Sequence, residues 1–331
     1  MIHLVNKSGA RVILTPIGAG VVSVIVPDKN GVMGDVVLGY RDFESYIGDG
    51  PCSGKIPGRY ANRIAGGRFI LDGKEYSLEI NNGPNHLHGG SNSYANREWT
   101  IEQQSENSVT FTLYSPDNDQ SYPGDLNISA RYTWSDDQTL SLEIKATTQS
   151  ATILNLTNHT YWNLRGEDSG TILDHLLKLN ASSWLPTDQT LIPTEEIAPV
   201  EGTPMDFRKE KRIGEDIEKD FPALKYGKGY DNCWVIDRKD DSLACAAVLS
   251  DPVSGRCLEV WTTQKGVQVY TGNWLSGSPV SKSGRSYNDY EGVAIECQNF
   301  PDAPNKENFP NAILRKGEVY RELIEFRISV R

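Results

Sequence analysis

The sequence predicts an all-β protein, a large antiparallel β-sandwich with few short helices. In several segments spread over the chain, apolar and polar residues alternate with the period of two that half-buried strands show. Turn sequences rich in glycine, aspartate and asparagine separate these segments, and no regular succession of strand and helix indicates a parallel sheet. Large sandwiches often exceed about 200 residues as one unit, so a single domain over residues 1–331 is expected.

Two hairpins are predicted near the N-terminus, each made of two apolar segments around a short turn. The strands are Val21–Val26 with Val36–Leu38, and Arg68–Leu71 with Glu75–Leu78. The connecting turns, PDKNG and Asp72-Gly73, are typical of tight reversals between antiparallel strands.

Further strands are predicted wherever apolar residues recur at every second position. The apolar positions of these strands are Trp99 and Ile101; Val109, Phe111 and Leu113; Leu126, Ile128, Ala130, Tyr132 and Trp134; Leu140, Leu142 and Ile144; and Ile324, Phe326, Ile328 and Val330. Each series is expected to face the core of the sandwich.

One helix is predicted within residues 208–225. Ile213, Ile217 and Phe221 recur every four residues among charged ones, and Pro222 is expected to end the helix. Two long loops are expected at Trp184–Pro204 and Leu275–Asn288, and long loops on a β scaffold are common positions for functional sites.

The charge balance limits the class of partner. A net charge of −11 argues against nucleic acids and anionic membrane surfaces, because both require a basic footprint. It also disfavours a phosphorylated substrate. No apolar run is long enough to span a membrane, and the N-terminal residues do not resemble a signal peptide, so a cytoplasmic protein is expected.

The five cysteines indicate neither a disulfide framework nor a thiolate zinc site. Their number is odd and none forms a CxxC pair. Several lie in apolar runs, as Cys245 does between alanines, where a thiol behaves as a small core residue. This usage fits a reducing compartment.

The segment Ala151–Leu164 is the first candidate site. It begins with the apolar and β-branched residues of a strand and then becomes polar and aromatic at once. The polar and aromatic residues are Asn158, His159, Thr160, Tyr161, Trp162 and Asn163. A pocket for a hydroxyl-rich ligand would use amides for hydroxyls and aromatic faces for C–H surfaces. Alternatively, His159 is a structural histidine at the end of a strand.

A second histidine segment, Asn85–Gly90, allows a metal site. On a strand, His86 and His88 would face the same side, and His159 with Glu296 could complete a ligand set. No complete metal motif is present, however, and Gly89-Gly90 is more typical of a tight turn that lets a ligand approach. No metal is therefore expected.

Other polar residues lie in or beside predicted strands. Asn62-Arg63 could offer a fork of donors, or Arg63 could be an ordinary surface arginine. Asp231 begins an apolar strand, and Gln268 lies between two valines and should face away from the core. Glu296 lies within an apolar strand, where an ionised carboxylate requires a partner, so it is a structural ion pair or a tuned acid–base group.

With these motifs in their order, the chain resembles the aldose 1-epimerase (galactose mutarotase) family, across essentially its whole length. The motifs are Asn62–Gly67, Asn85–Gly90, Leu156–His159, Gly229–Asp231, Thr262–Trp274 and Glu296–Ala303. The resemblance implies the large antiparallel supersandwich of that family, with a sugar cleft on one face. Departures occur at Asn232, where relatives often carry histidine, and at the aromatic positions Trp162 and Trp274.

The resemblance implies an isomerase that interconverts the α and β anomers of free aldohexoses such as galactose and glucose. Glu296 would be the general base and His159 the general acid, each favouring the ionised form of the other. His88 would polarise the ring oxygen or the anomeric region. Holding the sugar hydroxyls would fall to Asn62, Arg63, Asp231 and Gln268. The reaction would need no cofactor.

Three alternatives remain at the level of the sequence. A hexose-6-phosphate 1-epimerase would share the fold and the chemistry but would need further basic residues in its pocket. A non-catalytic carbohydrate-binding protein could keep Arg63 and Asp231 without the acid and base. A metal-dependent enzyme would use His86, His88 and His159. The preferred aldose is open, and the protein is expected to be a monomer or a homodimer.

Overall fold

The computed structural model describes residues 1–331 and is built almost entirely of β-strands. The strands of the N-terminal half are β1 (Ile2–Val5), β2 (Arg11–Thr15), β3 (Gly20–Pro27), β4 (Met33–Asp35), β5 (Arg63–Ile64), β6 (Arg68–Leu71), β7 (Lys74–Ser77), β8 (His86–Leu87), β9 (Thr100–Gln104), β10 (Ser108–Ser115), β11 (Leu126–Trp134), β12 (Thr139–Thr147), β13 (Thr152–Ile153) and β14 (Tyr161–Trp162). The remaining strands are β15 (Leu176–Leu179), β16 (Ser183–Trp184), β17 (Ala198–Pro199), β18 (Lys211–Arg212), β19 (Asp231–Val235), β20 (Ala244–Ser250), β21 (Arg256–Thr262), β22 (Gly266–Tyr270), β23 (Val293–Gln298), β24 (Ile313–Leu314) and β25 (Tyr320–Val330).

Helical structure is limited to short segments. One α-helix, α1, covers Pro222–Gly227. The 3₁₀ helices cover Glu44–Tyr46, Ala65–Gly67, Tyr94–Asn96, Asp119–Ser121, Ile213–Glu215 and Ala303–Asn305.

Two large antiparallel sheets form the sandwich. The first has nine strands in the order β18-β15-β20-β21-β25-β12-β11-β10-β9, and the second has six in the order β14-β23-β22-β19-β16-β17. A four-stranded sheet, β1-β2-β3-β4, and three two-stranded ribbons complete the fold. The predicted all-β sandwich with few short helices is confirmed.

A continuous core of 58 buried residues lies between the two large sheets. Alternate residues of β11 and β12 point into it, as the period of two predicts. Across the core, the Trp162 ring of β14 meets the Phe326 ring of β25 with centroids 5.1 Å apart. The sheets are therefore held face to face by side chains from both layers, with aromatic contacts among them.

Both predicted hairpin turns are present, but the second strand of the first hairpin is Met33–Asp35 and not the predicted Val36–Leu38. Strand β3 pairs with β4 around the PDKNG turn, and β6 pairs with β7 around Asp72-Gly73. Two of the predicted core positions are wrong, because Ile101 is 43% exposed and Val330 is 42% exposed. Ile101 lies on β9, an edge strand exposed along its whole length, and Val330 is the last residue of β25.

The helix predicted within residues 208–225 is wrong. Lys211–Arg212 forms an edge strand on β15, and Ile213–Glu215 forms a 3₁₀ turn. The α-helix begins at Pro222 instead of ending there. Proline has a fixed φ and no N–H, which suits the first turn of a helix, where the N–H has no partner within the helix.

All five cysteines are free thiols, as the sequence predicts. Burial raises the pKa of the Cys297 thiol to about 12, so this core thiol stays protonated at neutral pH. No helix is long and apolar enough to span a membrane.

Truncating the core aromatic Phe326 should destabilise the protein. Phe326 is 1% exposed and stacks on Trp162, so Phe326→Ala should lower the free energy of unfolding by about 3–5 kcal/mol. The exposed Ile101→Ala is the matched control and should change it by no more than about 0.5 kcal/mol. Urea denaturation followed by tryptophan fluorescence measures both, and equal effects would contradict this description of the core.

Candidate active site

A cavity of about 960 Å³ opens on the outer face of the six-stranded sheet. Its floor is formed by side chains from β14, β19, β22 and β23, and its walls are loops. The lining includes all three residues predicted to be catalytic, Glu296, His159 and His88, and three of the four predicted sugar-binding residues, Asn62, Arg63 and Asp231. Gln268, the fourth, is buried just beneath the floor and bonds to Asp231.

Strand alternation explains why polar residues lie on this floor. On β23, Ile295 and Cys297 belong to the core, so Glu296 between them faces the opposite side. On β22, Val267 and Val269 likewise face the core, and Gln268 pairs across the ladder with Glu296. The predicted orientation of Gln268 is therefore confirmed.

His159 lies in an irregular segment between β13 and β14, not at the end of a strand. Its backbone N–H donates to the Lys55 carbonyl at 2.9 Å, and its carbonyl accepts from the Gly54 N–H at 2.9 Å. These bonds fix the main chain where the ring enters the cavity. The ring lies 5.0 Å from the Tyr161 ring, centroid to centroid.

Most of the polar run around His159 does not reach the cavity, contrary to the prediction. Asn158 donates to the Gly54 carbonyl at 2.8 Å, and Asn163 donates to the Glu291 carbonyl at 2.9 Å. Trp162 is in the sandwich core. The amides satisfy buried backbone groups, which is the other use of such residues, and only His159 and Tyr161 of the run line the cavity.

Glu296 and His159 face each other in the cavity. The His159 Nε2 and the Glu296 Oε1 are 3.5 Å apart, and both side chains are almost completely buried. Burial raises the pKa of Glu296 well above its usual value, an effect that the Asp231 charge reinforces and the Arg63 charge opposes. Burial also lowers the pKa of His159 to about 4. Both shifts favour uncharged forms.

His86 and His88 do not share a face, and the prediction that they could act together is wrong. His88 has a positive φ of 54°, which turns the chain out of the strand after Leu87. His86 is buried and bonds to the Glu79 carbonyl at 2.6 Å and the Tyr122 hydroxyl at 2.7 Å. Only His88 lines the cavity, with its ring centroid 5.4 Å from that of His159.

The ligand atoms of His88, His159 and Glu296 all lie within 4.8 Å of one another. The spacing by itself allows an ion, since His159 Nε2 and Glu296 Oε1 are 3.5 Å apart, so the hydrogen bonds of the ligands decide. The Nδ1 of His88 is engaged, because it accepts a hydrogen bond of 3.0 Å from the backbone N–H of Asn62. The group is better suited to hydrogen bonding with neighbouring ligand oxygens than to holding an ion.

A second polar cluster lies beside the first. The Asp231 carboxylate accepts from the Gln268 amide at 2.7 Å and from the Arg63 guanidinium at 3.4 Å. Arg63 also donates through Nε to the Asn82 side chain at 3.1 Å. These contacts hold a cationic fork and a carboxylate at fixed positions beside the pair formed by Glu296 and His159, where hydroxyl groups can be recognised.

The walls come from four loops, one of which is residues 82–84. Residues 189–191 and 276–279 belong to the two long loops that the sequence predicts, and residues 48–52 form a third wall that was not predicted. That third loop is anchored by a buried ion pair between Asp49 and Lys55, and Lys55 also donates to the Tyr46 carbonyl at 2.6 Å. No local sequence pattern indicated this wall.

Sequence reasoning singled out Tyr161 and Trp274 but missed Tyr270 and Asn82. Tyr270 ends β22 and lies 6.0 Å from the Tyr161 ring, while Trp274 is at the rim and 51% exposed. The period of two along β22 places Tyr270 on the same face as Gln268, so the signal was present. Nothing in the sequence around Asn82 indicates its contact with Arg63.

Comparisons with known proteins agree with this geometry. The family model described as Aldose 1-epimerase matches residues 1–327. Galactose mutarotase from Homo sapiens is 42% identical over 320 residues, covering 97% of this chain and 91% of the relative. Aldose 1-epimerase from Escherichia coli K12 is 36% identical over 329 residues, covering 99% and 94%.

Among solved structures, an aldose epimerase homologue from C. elegans superposes with a TM-score of 0.92 at 34% identity, covering 99% of this chain and 98% of the other. Galactose 1-epimerase from Lactobacillus acidophilus superposes with a TM-score of 0.86 at 27% identity, covering 99% and 93%. The match of sequence and architecture over nearly the full length shows that this chain belongs to the aldose 1-epimerase family.

Proposed function

We propose that the protein is an aldose 1-epimerase that interconverts the α and β anomers of free aldohexoses such as galactose and glucose. The observation that carries this proposal is the buried pair of Glu296 and His159, 3.5 Å apart across a cavity beside the Arg63–Asp231 cluster. One carboxyl and one imidazole on a hydroxyl-binding surface are the groups that anomer exchange requires.

Exchange of anomers needs two proton transfers. Glu296 removes the proton of the C1 hydroxyl while His159 delivers a proton to the ring oxygen, and the C1–O5 bond breaks to give the open-chain aldehyde. Rotation about C1–C2 then presents the other face of the carbonyl. The same two groups return the protons as O5 attacks C1, and the ring closes as the other anomer.

The proton count of the pair stays constant through this cycle. Before opening, Glu296 is ionised and His159 is protonated; after opening, Glu296 holds the proton and His159 is neutral. The pKa shifts caused by burial favour the second arrangement, whereas mutual attraction of the two charges favours the first. Opposing effects of this kind reduce the energy difference between the two arrangements, which suits a reaction that runs in both directions.

Arg63 and Asp231 are proposed to hold sugar hydroxyls, with Gln268 and Asn62 supporting the same region. Asp231 offers acceptor positions and Arg63 offers donors, so vicinal hydroxyls can bind to both. His88 is proposed to act on the ring oxygen or the anomeric region. Only protons move in the reaction, and therefore no cofactor is proposed.

A sugar 6-phosphate is the less favoured substrate. The cavity is lined by the carboxylates of Asp49, Asp231 and Glu296, and Arg63 is its only lysine or arginine. That guanidinium is already engaged with Asp231 and Asn82. A phosphate dianion would meet like charges without an available cation.

A carbohydrate-binding protein without activity is also less favoured. Such a protein would use the Arg63–Asp231 cluster and the aromatic wall but would have no need for Glu296 in a buried position. Holding a carboxyl group there requires its desolvation, and the floor of a simple binding site could use an amide instead.

Three further properties belong to the proposal. Residues 1–331 are proposed to be one domain, which the family match over residues 1–327 supports. The five free thiols support a reducing compartment such as the cytoplasm. A monomer or homodimer remains the predicted assembly.

Removing the base should abolish catalysis while leaving the fold intact. Glu296→Gln keeps the size of the side chain but cannot take a proton, so the enzymatic rate should fall about 10²–10⁴-fold. Polarimetry on freshly dissolved α-D-galactose and α-D-glucose measures the rate at which the anomers reach equilibrium. Glu102→Gln, on the exposed edge strand β9, is the matched control and should behave as the wild type. Unchanged catalysis by Glu296→Gln would contradict the assigned role.

The pH profile should be broad and extend above neutrality. Activity requires one proton on the pair of Glu296 and His159. The lowered pKa of His159 is about 4, so below about pH 4 the pair takes up a second proton and activity should fall. It should also fall on the alkaline side, where Glu296 finally loses its proton, at a pKa well above the usual 4.5. The measurement is kcat/KM against pH, with the spontaneous rate subtracted. Activity confined between the usual values of 4.5 and 6.5 would contradict the coupled pair.

Charge in the cavity should make the enzyme discriminate against phosphorylated sugars. Glucose 6-phosphate should react with a kcat/KM at least about tenfold below that of glucose. Added salt should reduce the difference in kcat/KM between the two sugars, because screening weakens the repulsion between the phosphate and the carboxylates. Polarimetry on both sugars at two ionic strengths tests this, and a preference for the phosphorylated sugar would favour the hexose-6-phosphate alternative.

A further inference from the structure

We infer that the backbone N–H of Asn62 fixes His88 as a neutral imidazole protonated on Nε2, which makes His88 a permanent hydrogen-bond donor to the sugar. Asn62 is thus a positioning residue in addition to any contact of its side chain with a hydroxyl. The role of His88 in the reaction rests on the proposed function, whereas its protonated nitrogen is a property of the protein alone.

The direction of one hydrogen bond determines this assignment. The Asn62 backbone nitrogen lies 3.0 Å from the His88 Nδ1, and an amide N–H can only donate. Nδ1 must therefore offer its lone pair and carry no proton. In a neutral imidazole the single proton is then on Nε2, the only ring nitrogen left to face the cavity.

A second bond makes the contact a clamp. The backbone N–H of His88 donates to the Asn62 carbonyl at 3.1 Å, so the two residues bind each other through both bonds. If the His88 ring were turned over, a C–H group would face the Asn62 N–H and this bond would be lost. The ring orientation and the protonated nitrogen are therefore specified together.

The clamp depends on an uncommon backbone conformation. Asn62 has φ of +67° and His88 has φ of +54°, both in the left-handed region that most residues avoid. Asparagine enters this region at low cost, and the Asn62 side chain stabilises it by accepting from the Arg63 N–H at 2.8 Å. A β-branched residue at position 62 would resist this conformation.

The surroundings of His88 also favour the neutral ring. Burial lowers its pKa well below the usual value, and His159 and the Arg63 guanidinium add to the effect. Three groups in one cavity could otherwise exchange protons freely. With His88 neutral and clamped, proton transfer is left to Glu296 and His159, while His88 Nε2–H donates to an oxygen on which negative charge develops.

The proton on Nε2 also argues against His88 as a metal ligand. Nε2–H has no free lone pair, and Nδ1 has already given its lone pair to Asn62. His88, His159 and Glu296 meet the rough spacing of a three-ligand cluster, yet His88 could bind an ion only after breaking the clamp or losing its only ring N–H proton. The clamp therefore separates proton chemistry from metal chemistry at this site.

Nitrogen NMR of the intact protein labelled with ¹⁵N-histidine tests the assignment directly. In the wild type, the His88 Nδ1 should give the shift of an unprotonated ring nitrogen and Nε2 that of a protonated one, over the neutral pH range. Comparison with a His88→Gln variant assigns the signals. Protonated Nδ1 in the wild type would overturn the inference, whatever the activity of the protein.

Two substitutions at one position separate the backbone of Asn62 from its side chain. Asn62→Gly keeps the N–H and the left-handed conformation, whereas Asn62→Val disfavours that conformation. We expect Asn62→Gly to keep an unprotonated Nδ1 and a protonated Nε2 on His88, and to raise KM, because the side chain proposed to hold a sugar hydroxyl is lost. Asn62→Val should lose this protonation pattern of the His88 ring. Its kcat should fall by about 10²-fold, which is the usual loss when one oriented hydrogen-bond donor is removed.

Equal loss of kcat in both variants, with the His88 pattern intact in both, would overturn the positioning role and assign Asn62 to direct contact through its side chain. If Asn62→Val does not fold, the wild-type spectrum and the Asn62→Gly variant still test the inference. Absence of mutarotase activity in the wild type, together with the expected spectrum, would overturn the proposed function and leave the clamp standing.

Discussion

Burial of the Glu296 carboxyl on the floor of the cavity is the constraint on which the rest of the site depends. An ionised carboxylate in that position is unstable without a partner, and a neutral one cannot act as a base. His159 at 3.5 Å resolves this conflict, because the pair can hold one proton in either of two places. The clamped His88 and the Arg63–Asp231 cluster then surround the pair without competing for that proton.

The sandwich provides the rigidity that this arrangement needs. Glu296 and Gln268 lie on adjacent strands in register, and their neighbours in sequence are anchored in a core of 58 buried residues. Side chains placed by such a floor have little freedom to move apart. Loops supply the walls, and the buried Asp49–Lys55 ion pair holds one of them against the main chain that carries His159. Strands therefore position Glu296 and Gln268, whereas loops enclose the cavity and carry His159 and His88.

Local periodicity was enough to predict the two hairpin turns, most strands of the core and the outward direction of Gln268. It failed where tertiary contacts decide the conformation. His88 leaves its strand through a left-handed turn clamped by Asn62, so spacing alone wrongly joined it to His86. Apolar spacing of four residues before Pro222 suggested a helix, but only Ile213 lies in a 3₁₀ turn, and Ile217 and Phe221 pack against the same core from the irregular segment that follows. The roles of Asn82 and of loop 48–52 depend on contacts distant in sequence, which no local pattern contains.

The central claim is that Glu296 and His159 act as one proton-sharing unit. A double-mutant cycle with Glu296→Gln and His159→Asn, measured as kcat/KM for galactose, tests it most directly. If the two residues act as a unit, each single variant loses nearly all of the enzymatic rate, and the double variant loses little more than either one. Losses that simply multiply in the double variant would show independent roles and contradict the shared proton.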